Sequence, residues 1–570
     1  MAAALSGACS RGEPTQPATP SGSQPVAASS ALPPPAVPLA ALPKVDPAAI
    51  LEMTRKMSSD EFQGRAPGTA GEDATVGYLE TRFKELGLAP GNPDGTYIQR
   101  VPLVGITGAE AKPLTITKRG ETGTLKWRDE VVAWSRHVAG GASIDQSEVV
   151  FAGYGVEAPE YGWDDFKGTD VKGKTIVVLV NDPPVPDPAD SAKLDPKVFG
   201  GSAMTYYGRW TYKFEEGARK GAAAVLIVHE TLPAGYPFSV VQGNLNEKFD
   251  LVAPDQNMGK ANIEGWITLD AARKLFEMGG QDFDALKKQA VGKDFKPVAL
   301  GLKASMGIRN KLRTIDSRNV VAKLEGGDPA LKHEFVVYTA HWDHLGVGQP
   351  VNGDKIYNGA LDNASGVATV LEIARALKQA QPRPKRSFLF LMVTAEEKGL
   401  IGSEYYSLNP LYPLAKTAAD INIDTINQWG KTKDISVIGL GASDLDDYLR
   451  QAAQEQGRTI RADPEPEKGS YYRSDHFNFA KQGVPALDPN AGVDYIGKAA
   501  EWGKAKRDEY TDKDYHAPSD EVKADWDLSG AAEDAQLLLA VGYRVANADK
   551  LPEWKPGSEF KAKRDAMFKK

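Results

Sequence analysis

The stretch FLFLMVTAEEKGLIGSEYY, residues 388–406, decides the fold of this chain and points to its chemistry. Its first six residues are apolar without interruption, which is typical of a strand buried on both faces of a sheet. A short Thr-Ala step then leads to two adjacent carboxylates, Glu396 and Glu397. A buried strand does not usually end in a doubled negative charge, so this pair calls for a chemical explanation.

Strands and helices alternate on both sides of this stretch. Further strand candidates are HEFVVYTA (333–340), ADINIDTI (419–426) and DISVIGL (434–440), and residues 363–380 form a helix candidate. That helix places Val367, Val370, Leu371, Ala374 and Leu377 on one apolar face. Apolar strands separated by amphipathic helices predict an α/β fold, with a mostly parallel or mixed sheet flanked by helices.

The length and the composition divide the chain into several parts. A chain of 570 residues is too long for one compact core, so two or more domains are expected. Residues 113–302 change to short β-rich runs such as EVVFAGYG (148–155), which predicts an inserted domain. We therefore expect four parts: a Pro-, Ala- and Ser-rich disordered export or tether segment at 1–43, an α/β domain at 44–112 and 303–550, the insert at 113–302, and a charged C-terminal tail at 551–570.

The net charge and the cysteine content limit which partners and which cellular location the chain is expected to have. The net charge of -8 argues against nucleic acid or an anionic membrane as the main partner. No apolar run approaches the roughly 20 residues that cross a bilayer, so no transmembrane span is expected. The single cysteine, Cys9, is either a stray thiol or the acylated cysteine of a bacterial lipoprotein, and the tether that follows it favours an exported, periplasmic or extracellular protein.

Acids and histidines follow several of the predicted strands and precede one helix. YTAHWDHLG (338–346) carries His341, Asp343 and His344, and the other candidates are Asp362, Glu396, Glu397, Asp424 and His516. Each alone has a structural explanation, and Asp362 could simply cap a helix. Ligands in open α/β sheets bind outside the carboxyl ends of the strands, where these residues would gather. Carboxylates packed together repel each other unless a cation neutralises them, so their convergence predicts a metal site.

The types of candidate ligand limit which metals could bind. A mixed imidazole and carboxylate set suits zinc, with manganese or cobalt as substitutes. The five candidates are more than one catalytic zinc needs, and they fit two metals about 3.5–4 Å apart with one shared carboxylate; they are His341, Asp362, Glu397, Asp424 and His516. Zinc lowers the pKa of a bound water to about 7, and a nearby carboxylate can take its proton. The spacing permits Glu397 as ligand and Glu396 as base without fixing that assignment.

Six stretches in this order resemble a large family of zinc exopeptidases: AHWDHLG, NGALDNASGVA, TAEEKGLIGSEYY, INIDT, SDHFNFAKQGVPAL and YHAPSDE. The family includes bacterial secreted aminopeptidases and the glutamate carboxypeptidase II type. The resemblance covers 319 to about 546 and the segment QGRAPGTAG (63–71). It implies two Zn²⁺ per chain, with Asp362 bridging them, Glu396 as general base, and His341, Glu397, Asp424 and His516 as the remaining ligands.

The same resemblance suggests supporting roles. Asp343 would orient the first histidine, and Tyr515 would stabilise an oxyanion as in some family members, unless its ring only packs. His344 and His476 are interpreted as structural or supporting residues. The insert resembles a protease-associated domain, which caps or flanks the active-site cleft in such enzymes.

The leading expectation is a metallo-aminopeptidase that hydrolyses the N-terminal bond of peptide substrates. The alternatives are a carboxypeptidase or dipeptidase on the same centre, a glutaminyl-cyclase-like enzyme, and a non-catalytic binding protein similar to the transferrin receptor. An arginine cluster would hold a C-terminal carboxylate, and Arg473 lies close in sequence to a candidate substrate wall. Retention of every ligand and of the base favours an enzyme.

Overall fold

The computed structural model describes residue 32 and residues 35–243 and 247–569. Cys9 and most of the predicted tether lie outside these residues. The end of the predicted tether is packed, because Leu39 and Leu42 are only 6% and 3% exposed and join the main hydrophobic core. The prediction of disorder up to residue 43 is therefore wrong for this part, because two leucines that lie between prolines pack into the hydrophobic core. No helix within the described ranges combines the length and the apolar character needed to cross a bilayer.

The N-terminal elements belong to the same core as the C-terminal half. They are α1 (Pro47–Met57), α2 (Ala70–Glu85), β1 (Ala89–Pro90) and β2 (Ile98–Ala111). Asp46 caps α1 by accepting the N–H of Ala48 over 2.9 Å. Ile50 of α1 and Leu79 of α2 are fully buried in the main core. Residues before the insert therefore help to build the unit that contains the candidate site.

The inserted region is β-rich, as predicted. Its strands are β3 (Leu114–Lys118), β4 (Glu121–Leu125), β5 (Val131–Trp134), β6 (Gly141–Phe151), β7 (Glu157–Ala158), β8 (Trp163–Asp164), β9 (Thr175–Leu179), β10 (Ala224–His229), β11 (Lys248–Leu251) and β12 (Ile263–Thr268). Its helices are α3 (Trp210–Arg219), α4 (Thr231–Ala234), α5 (Phe238–Gly243), α6 (Leu269–Gly279) and α7 (Phe283–Gln289). Strands β6, β9, β10 and β12 are parallel neighbours, and β5 pairs antiparallel with β12. Two hydrophobic clusters of this region form cores of its own.

One long strand, β13 (Val298–Leu324), joins the insert to the rest of the chain. Its first part pairs with β6 and β3, and its middle pairs with β2. Its last residues, 320–324, pair with the apolar strand of the opening stretch. The insert is thus attached to the main sheet by backbone hydrogen bonds along one strand, with a register shift between Arg309 and Asn310.

The C-terminal half contains the α/β sheet that the sequence predicted. Its strands are β14 (Phe335–His341), β15 (Gly346–Val351), β16 (Asp354–Tyr357), β17 (Ser387–Val393), β18 (Thr417–Asn422), β19 (Asp434–Ile438), β20 (Thr459–Ala462) and β21 (Ala486–Ala491). Its helices are α8 (Ser365–Gln379), α9 (Ile401–Leu408), α10 (Leu445–Glu455), α11 (His476–Lys481), α12 (Trp502–Lys513), α13 (Ser529–Asn547) and α14 (Lys561–Phe568). The strand order is β13-β17-β14-β18-β21-β19-β20, with β17, β14, β18 and β21 parallel. The predicted fold class, a mixed sheet flanked by helices, is confirmed.

Both faces of the central strands are buried. On β17, Phe388, Phe390 and Met392 face one cluster, while Leu389, Leu391 and Val393 face another. This two-sided burial explains why the strand reads as a continuous apolar run in the sequence.

Residues 551–569, predicted as a charged tail, pack onto the domain. Trp554 is 2% exposed, and its Nε1–H donates to the carbonyl of Gly483 over 2.9 Å. Phe560 and Arg564 are also buried, at 8% and 3% exposure. Two aromatic side chains thus anchor a segment whose charged residues had suggested a tail.

The insert also contacts the main domain through backbone and side-chain groups outside β13. The N–H of Met204 donates to the carbonyl of Pro466 over 3.1 Å. The ring of Tyr206 lies 4.8 Å from that of Phe477, and Lys481 forms an ion pair with Glu215 at 2.8 Å. The insert therefore lies against the segment that carries Arg473.

Candidate metal centre

The candidate residues meet at the carboxyl ends of three neighbouring parallel strands. His341 ends β14, Glu396 and Glu397 follow β17, and Asp424 follows β18. Asp362 comes from the turn that leads into α8, and His516 comes from the segment after α12. Parallel strands present their carboxyl ends at one sheet edge, which explains how residues so distant in sequence converge.

His341 lies at the centre of a first group of ligand-type atoms. Its Nε2 is 3.2 Å from Oδ1 of Asp362 and 3.3 Å from Oδ1 of Asp424. Its other ring nitrogen, Nδ1, lies 3.1 Å from the backbone carbonyl oxygen of Asp343, to which it donates in the Nδ1–H tautomer. That bond fixes the ring and leaves Nε2 directed at the two carboxylates. These three side chains can hold one cation.

Asp362 connects this group to a second one. Its Oδ2 lies 3.3 Å from Nε2 of His516, while its Oδ1 faces His341. Burial opposes ionisation, but the hydrogen bonds from His341 and His516 outweigh it and hold the pKa of Asp362 well below its ordinary value. Asp520 accepts the backbone N–H groups of Leu361 and Asp362 over 3.0 and 3.1 Å, which fixes the turn.

Glu397 completes the second group. Its Oε2 lies 3.0 Å from Nε2 of His516, and its Oε1 lies 2.6 Å from Nδ1 of His344. Burial and the charge of Asp362 raise the pKa of Glu397, but the two imidazoles prevail and lower it to about 2. His516 adopts a positive φ of 57°, and 37% of its side chain is exposed. The second group therefore opens to solvent on the His516 side.

Glu396 lies beside these groups and is oriented by Asp343. Its backbone N–H donates to Oδ1 of Asp343 over 3.0 Å. Its carboxylate lies 3.9 Å from Nε2 of His341, and the side chain is 12% exposed. Burial raises the pKa of Glu396 well above its ordinary value, His341 lowers it, and the charges of Asp424 and Glu397 raise it further. A carboxyl group with this environment suits proton transfer.

Asp343 acts on His341 differently from the expectation. The sequence predicted that its carboxylate orients the imidazole, but the carboxylate oxygen Oδ1 lies 3.9 Å from Nδ1. The backbone carbonyl makes the direct contact instead, because the carboxylate turns towards the N–H of Glu396. Burial raises the pKa of Asp343 to about 7, although the charge of His341 opposes this.

Asp424 is held by a serine that the sequence analysis did not single out. The hydroxyl of Ser474 donates to Oδ2 of Asp424 over 2.6 Å, and Nδ2 of Asn422 donates to Ser474 over 2.7 Å. Oδ1 of Asp424 remains free to face His341. Ser474 begins the stretch SDHFNFAKQGVPAL, but a single serine in a sequence does not reveal that contact.

Arg65 joins the two loops that carry His341 and Asp362. It is fully buried, and its guanidinium donates to four backbone carbonyls at 2.6–2.9 Å: those of Met57, Trp342, Asn358 and Gly359. Burial lowers the pKa of Arg65 to about 10, while the charges of nearby acids, led by Asp520 and Asp343, oppose this. The sequence showed Arg65 within QGRAPGTAG but gave no role for it.

The remaining candidates have distinct positions. The ring of Tyr515 stacks on His516 at 3.9 Å and is 46% exposed. Arg473 is exposed and directly precedes Ser474. His476 is fully buried under the edge of Tyr471, 4.6 Å between ring centres, which fits a structural role.

Together these side chains form a donor set that suits zinc. Imidazole nitrogens and carboxylate oxygens converge in two groups that share Asp362. Zinc favours nitrogen and oxygen ligands of these types, and a shared carboxylate is typical of two-metal hydrolases. The residues present therefore fit the group that the sequence motifs imply.

Much of the C-terminal half of the chain is similar to known proteins. Residues 319–540 match the family model described as "Peptidase family M28". The leupeptin-inactivating enzyme 1 of Streptomyces exfoliatus is 31% identical over 208 residues, which are 36% of this chain and 43% of that protein. Aminopeptidase YwaD of Bacillus subtilis (strain 168) is 27% identical over 244 residues, 42% of this chain and 47% of that protein.

A solved aminopeptidase from Aneurinibacillus sp. strain AM-1 aligns over 89% of this chain and 96% of that chain, at 18% identity and a TM-score of 0.46. The aligned part of the chain spans less than half the length of the two curated relatives named above.

Proposed function

Because residues 319–540 belong to peptidase family M28, as the sequence motifs predicted, we propose that this protein is a metallo-aminopeptidase that hydrolyses the N-terminal bond of peptides. The observation that carries the proposal is the position of Asp362. Its two carboxylate oxygens face different histidines, at 3.2 Å and 3.3 Å, as a residue shared by two cations would. The printed name of a curated relative, an aminopeptidase, supports the same reaction.

The proposed cofactor is a pair of zinc ions. His341 and Asp424 would hold one, Glu397 and His516 the other, and Asp362 both. When bound, zinc polarises the scissile carbonyl and makes water acidic enough to lose a proton near neutral pH.

Glu396 is the proposed general base. Its carboxylate lies 3.9 Å from Nε2 of His341, and its backbone N–H is held by Asp343. Its raised pKa lets it keep a proton once it has taken one from water. The same carboxyl group then gives this proton to the leaving amine. Tyr515, half exposed beside His516, is proposed to donate its hydroxyl to the oxyanion.

Residues 113–302 are proposed to form a protease-associated domain that borders the cleft. Its contacts with Pro466, Phe477 and Lys481 support this, because these residues flank Arg473 and Ser474. A domain at this border would limit the length and the direction of the peptide that can enter.

A carboxypeptidase is the second candidate, and one observation favours it. Nε of Arg209, at the start of α3, is buried without a hydrogen-bond partner among the described residues. Burial lowers the pKa of Arg209 to about 10, and the positive charge of Arg473 lowers it further. Arginines of this kind would suit a substrate carboxylate.

A single set of assays separates these proposals. Zinc per chain is counted, and peptides with free or blocked amino termini are tested with the wild-type protein and with Glu396→Gln. Release of N-terminal residues from free-amine peptides only, together with a variant that keeps two zinc ions but loses about 10²–10⁴-fold in kcat, supports the aminopeptidase. Cleavage of N-blocked peptides from their C-terminal end would establish the carboxypeptidase. Zinc without turnover of any peptide would leave a binding protein.

A further inference from the structure

His344 is a buried histidine for which the proposed reaction has no role. Its side chain is fully buried, Nε2 has no hydrogen-bond partner among the described residues, and the carboxylate oxygen close to Nδ1 belongs to Glu397. Buried polar atoms are rarely left in this state, because an unsatisfied group costs about 1–3 kcal/mol. The position of His344 therefore needs a physical reason.

The only carboxylate that His344 contacts in the described part of the chain is Glu397. Nδ1 lies 2.6 Å from Oε1, and the other oxygen of Glu397 lies 3.0 Å from His516. Glu397 is thus placed between two imidazoles, one buried and one partly exposed. The two imidazole rings meet edge to face, with their centres 5.7 Å apart.

The backbone packs closely against the ring of His344. Gly359 lies directly against it, and a Cβ built on Gly359 would be 2.5 Å from Cγ of His344. The backbone N–H of His344 also donates to the carbonyl of Arg65 over 3.4 Å. The surrounding backbone therefore holds the imidazole at the oxygen that does not face His516.

We propose that His344 is a positioning residue of the second zinc site, which fixes Oε1 of Glu397 so that Oε2 faces the zinc position beside His516. This rests on the proposed two-zinc centre. Donors to one zinc ion lie about 2.0–2.2 Å from it and are therefore close to each other. His344, Asp362 and Glu397 also have ligand-type atoms within 4.8 Å of one another. His516 lies 3.3 Å from Asp362 and 3.0 Å from Glu397, whereas the close contact of His344, at 2.6 Å, is with Glu397. We therefore assign His516 as the ligand and His344 as the residue that holds Glu397.

Two nearly isosteric variants test the proposal. His344→Leu removes the ring nitrogen, while His344→Asn keeps an N–H donor close to the position of Nδ1. The affinities for both zinc ions are measured by competition with a chelator, and His516→Ala identifies which ion occupies the second site. We expect His344→Leu to lower the affinity for the ion at the second site by about 10–100-fold. The affinity for the other ion should stay within about 2-fold of the wild-type value. His344→Asn should recover most of the loss.

Thermal unfolding of both variants in excess chelator controls for a general loss of folding. If His344→Leu does not fold, His344→Gln takes its place, because its donor reaches the position of Nε2 and not that of Nδ1. Wild-type affinity for both ions in the donor-free variant, or equal weakening of both, would overturn the role of His344. Fewer than two zinc ions in the wild-type protein would instead overturn the two-zinc centre, and the role of His344 with it.

Discussion

The backbone N–H of Glu396 donates to the carboxylate of Asp343 over 3.0 Å, which joins two residues 53 positions apart. The backbone carbonyl of Asp343 meanwhile holds Nδ1 of His341 at 3.1 Å. One residue thus fixes the position of the proposed base and the direction of a proposed ligand. The loops after β14 and β17 are therefore coupled at the site itself.

Replacing Asp343 tests that coupling. Asp343→Ala removes the acceptor for the N–H of Glu396, so we expect kcat to fall by about 10–100-fold with little change in KM. Asp343→Asn keeps an oxygen at the same position and should retain more of the activity. Steady-state kinetics on a free-amine peptide measures both, and an alanine variant with wild-type kcat would contradict the role.

Ser474 provides a test at the first of the two proposed zinc sites. Ser474→Ala removes the hydrogen bond to Oδ2 of Asp424, so Asp424 can turn and should bind zinc about 10–100-fold more weakly at this position. Zinc competition with a chelator measures this. Ser407→Ala is the control, because Ser407 is also buried but donates only to the carbonyl of Glu404 within α9. Equal affinities in the two variants would show that Asp424 needs no such support.

Gly359 is expected to tolerate no side chain. It has a positive φ of 55°, and a Cβ there would lie 2.4 Å from the carbonyl oxygen of Asp362. Gly359→Ala should therefore lower the melting temperature and reduce zinc binding together, since backbone contacts at this distance cannot relax locally. Gly353→Ala is the matched control, with a positive φ of 94° and no atom within 4 Å of the added Cβ. Gly353→Ala should lower the free energy of unfolding only by the backbone strain, about 1–2 kcal/mol, and should leave zinc binding unchanged.

His476 should make the stability depend on pH. Burial lowers the pKa of its imidazole from 6.5 to about 3. Between these values the unfolded chain binds a proton that the folded chain does not, so stability falls as the pH is lowered from 6.5 towards 3. The expected slope from this group is on the order of 1 kcal/mol per pH unit.

Urea unfolding at about pH 7 and about pH 5 measures this effect. His476→Gln should lose less stability than the wild-type protein between the two conditions. His333→Gln, which changes an exposed histidine, should behave as the wild-type protein does. A wild-type slope in His476→Gln would mean that other groups cause the pH dependence.

The sequence predicted the sheet and the convergence of ligand-type residues because both depend on local pattern. Two-sided burial of β17 produced the apolar run, and acids at the ends of parallel strands meet at one edge. The pairing of Asp362 with both His341 and His516 follows from that arrangement. The roles of these residues as ligands and of Glu396 as base stay predictions.

Other contacts could not be predicted because they depend on side-chain direction or on distant packing. The approach of His344 to Glu397 depends on how the ring turns after β14, and a sequence does not contain that angle. The packing of Leu39 and Trp554 depends on surfaces that form only in the folded chain, so a Pro-rich and a charged segment were read as a tether and a tail.

The carbonyls that Arg65 satisfies also set a limit on how this chain can be shortened. A chain that began at residue 319 would contain the whole stretch that matches the family, but Trp342, Asn358 and Gly359 would lose a donor that stands 277 or more positions earlier. Each carbonyl left buried in this way costs about 1–3 kcal/mol. During synthesis the same distance means that Arg65 leaves the ribosome long before its acceptors exist. The loops that carry His341 and Asp362 can therefore reach this arrangement only after the whole insert has been made.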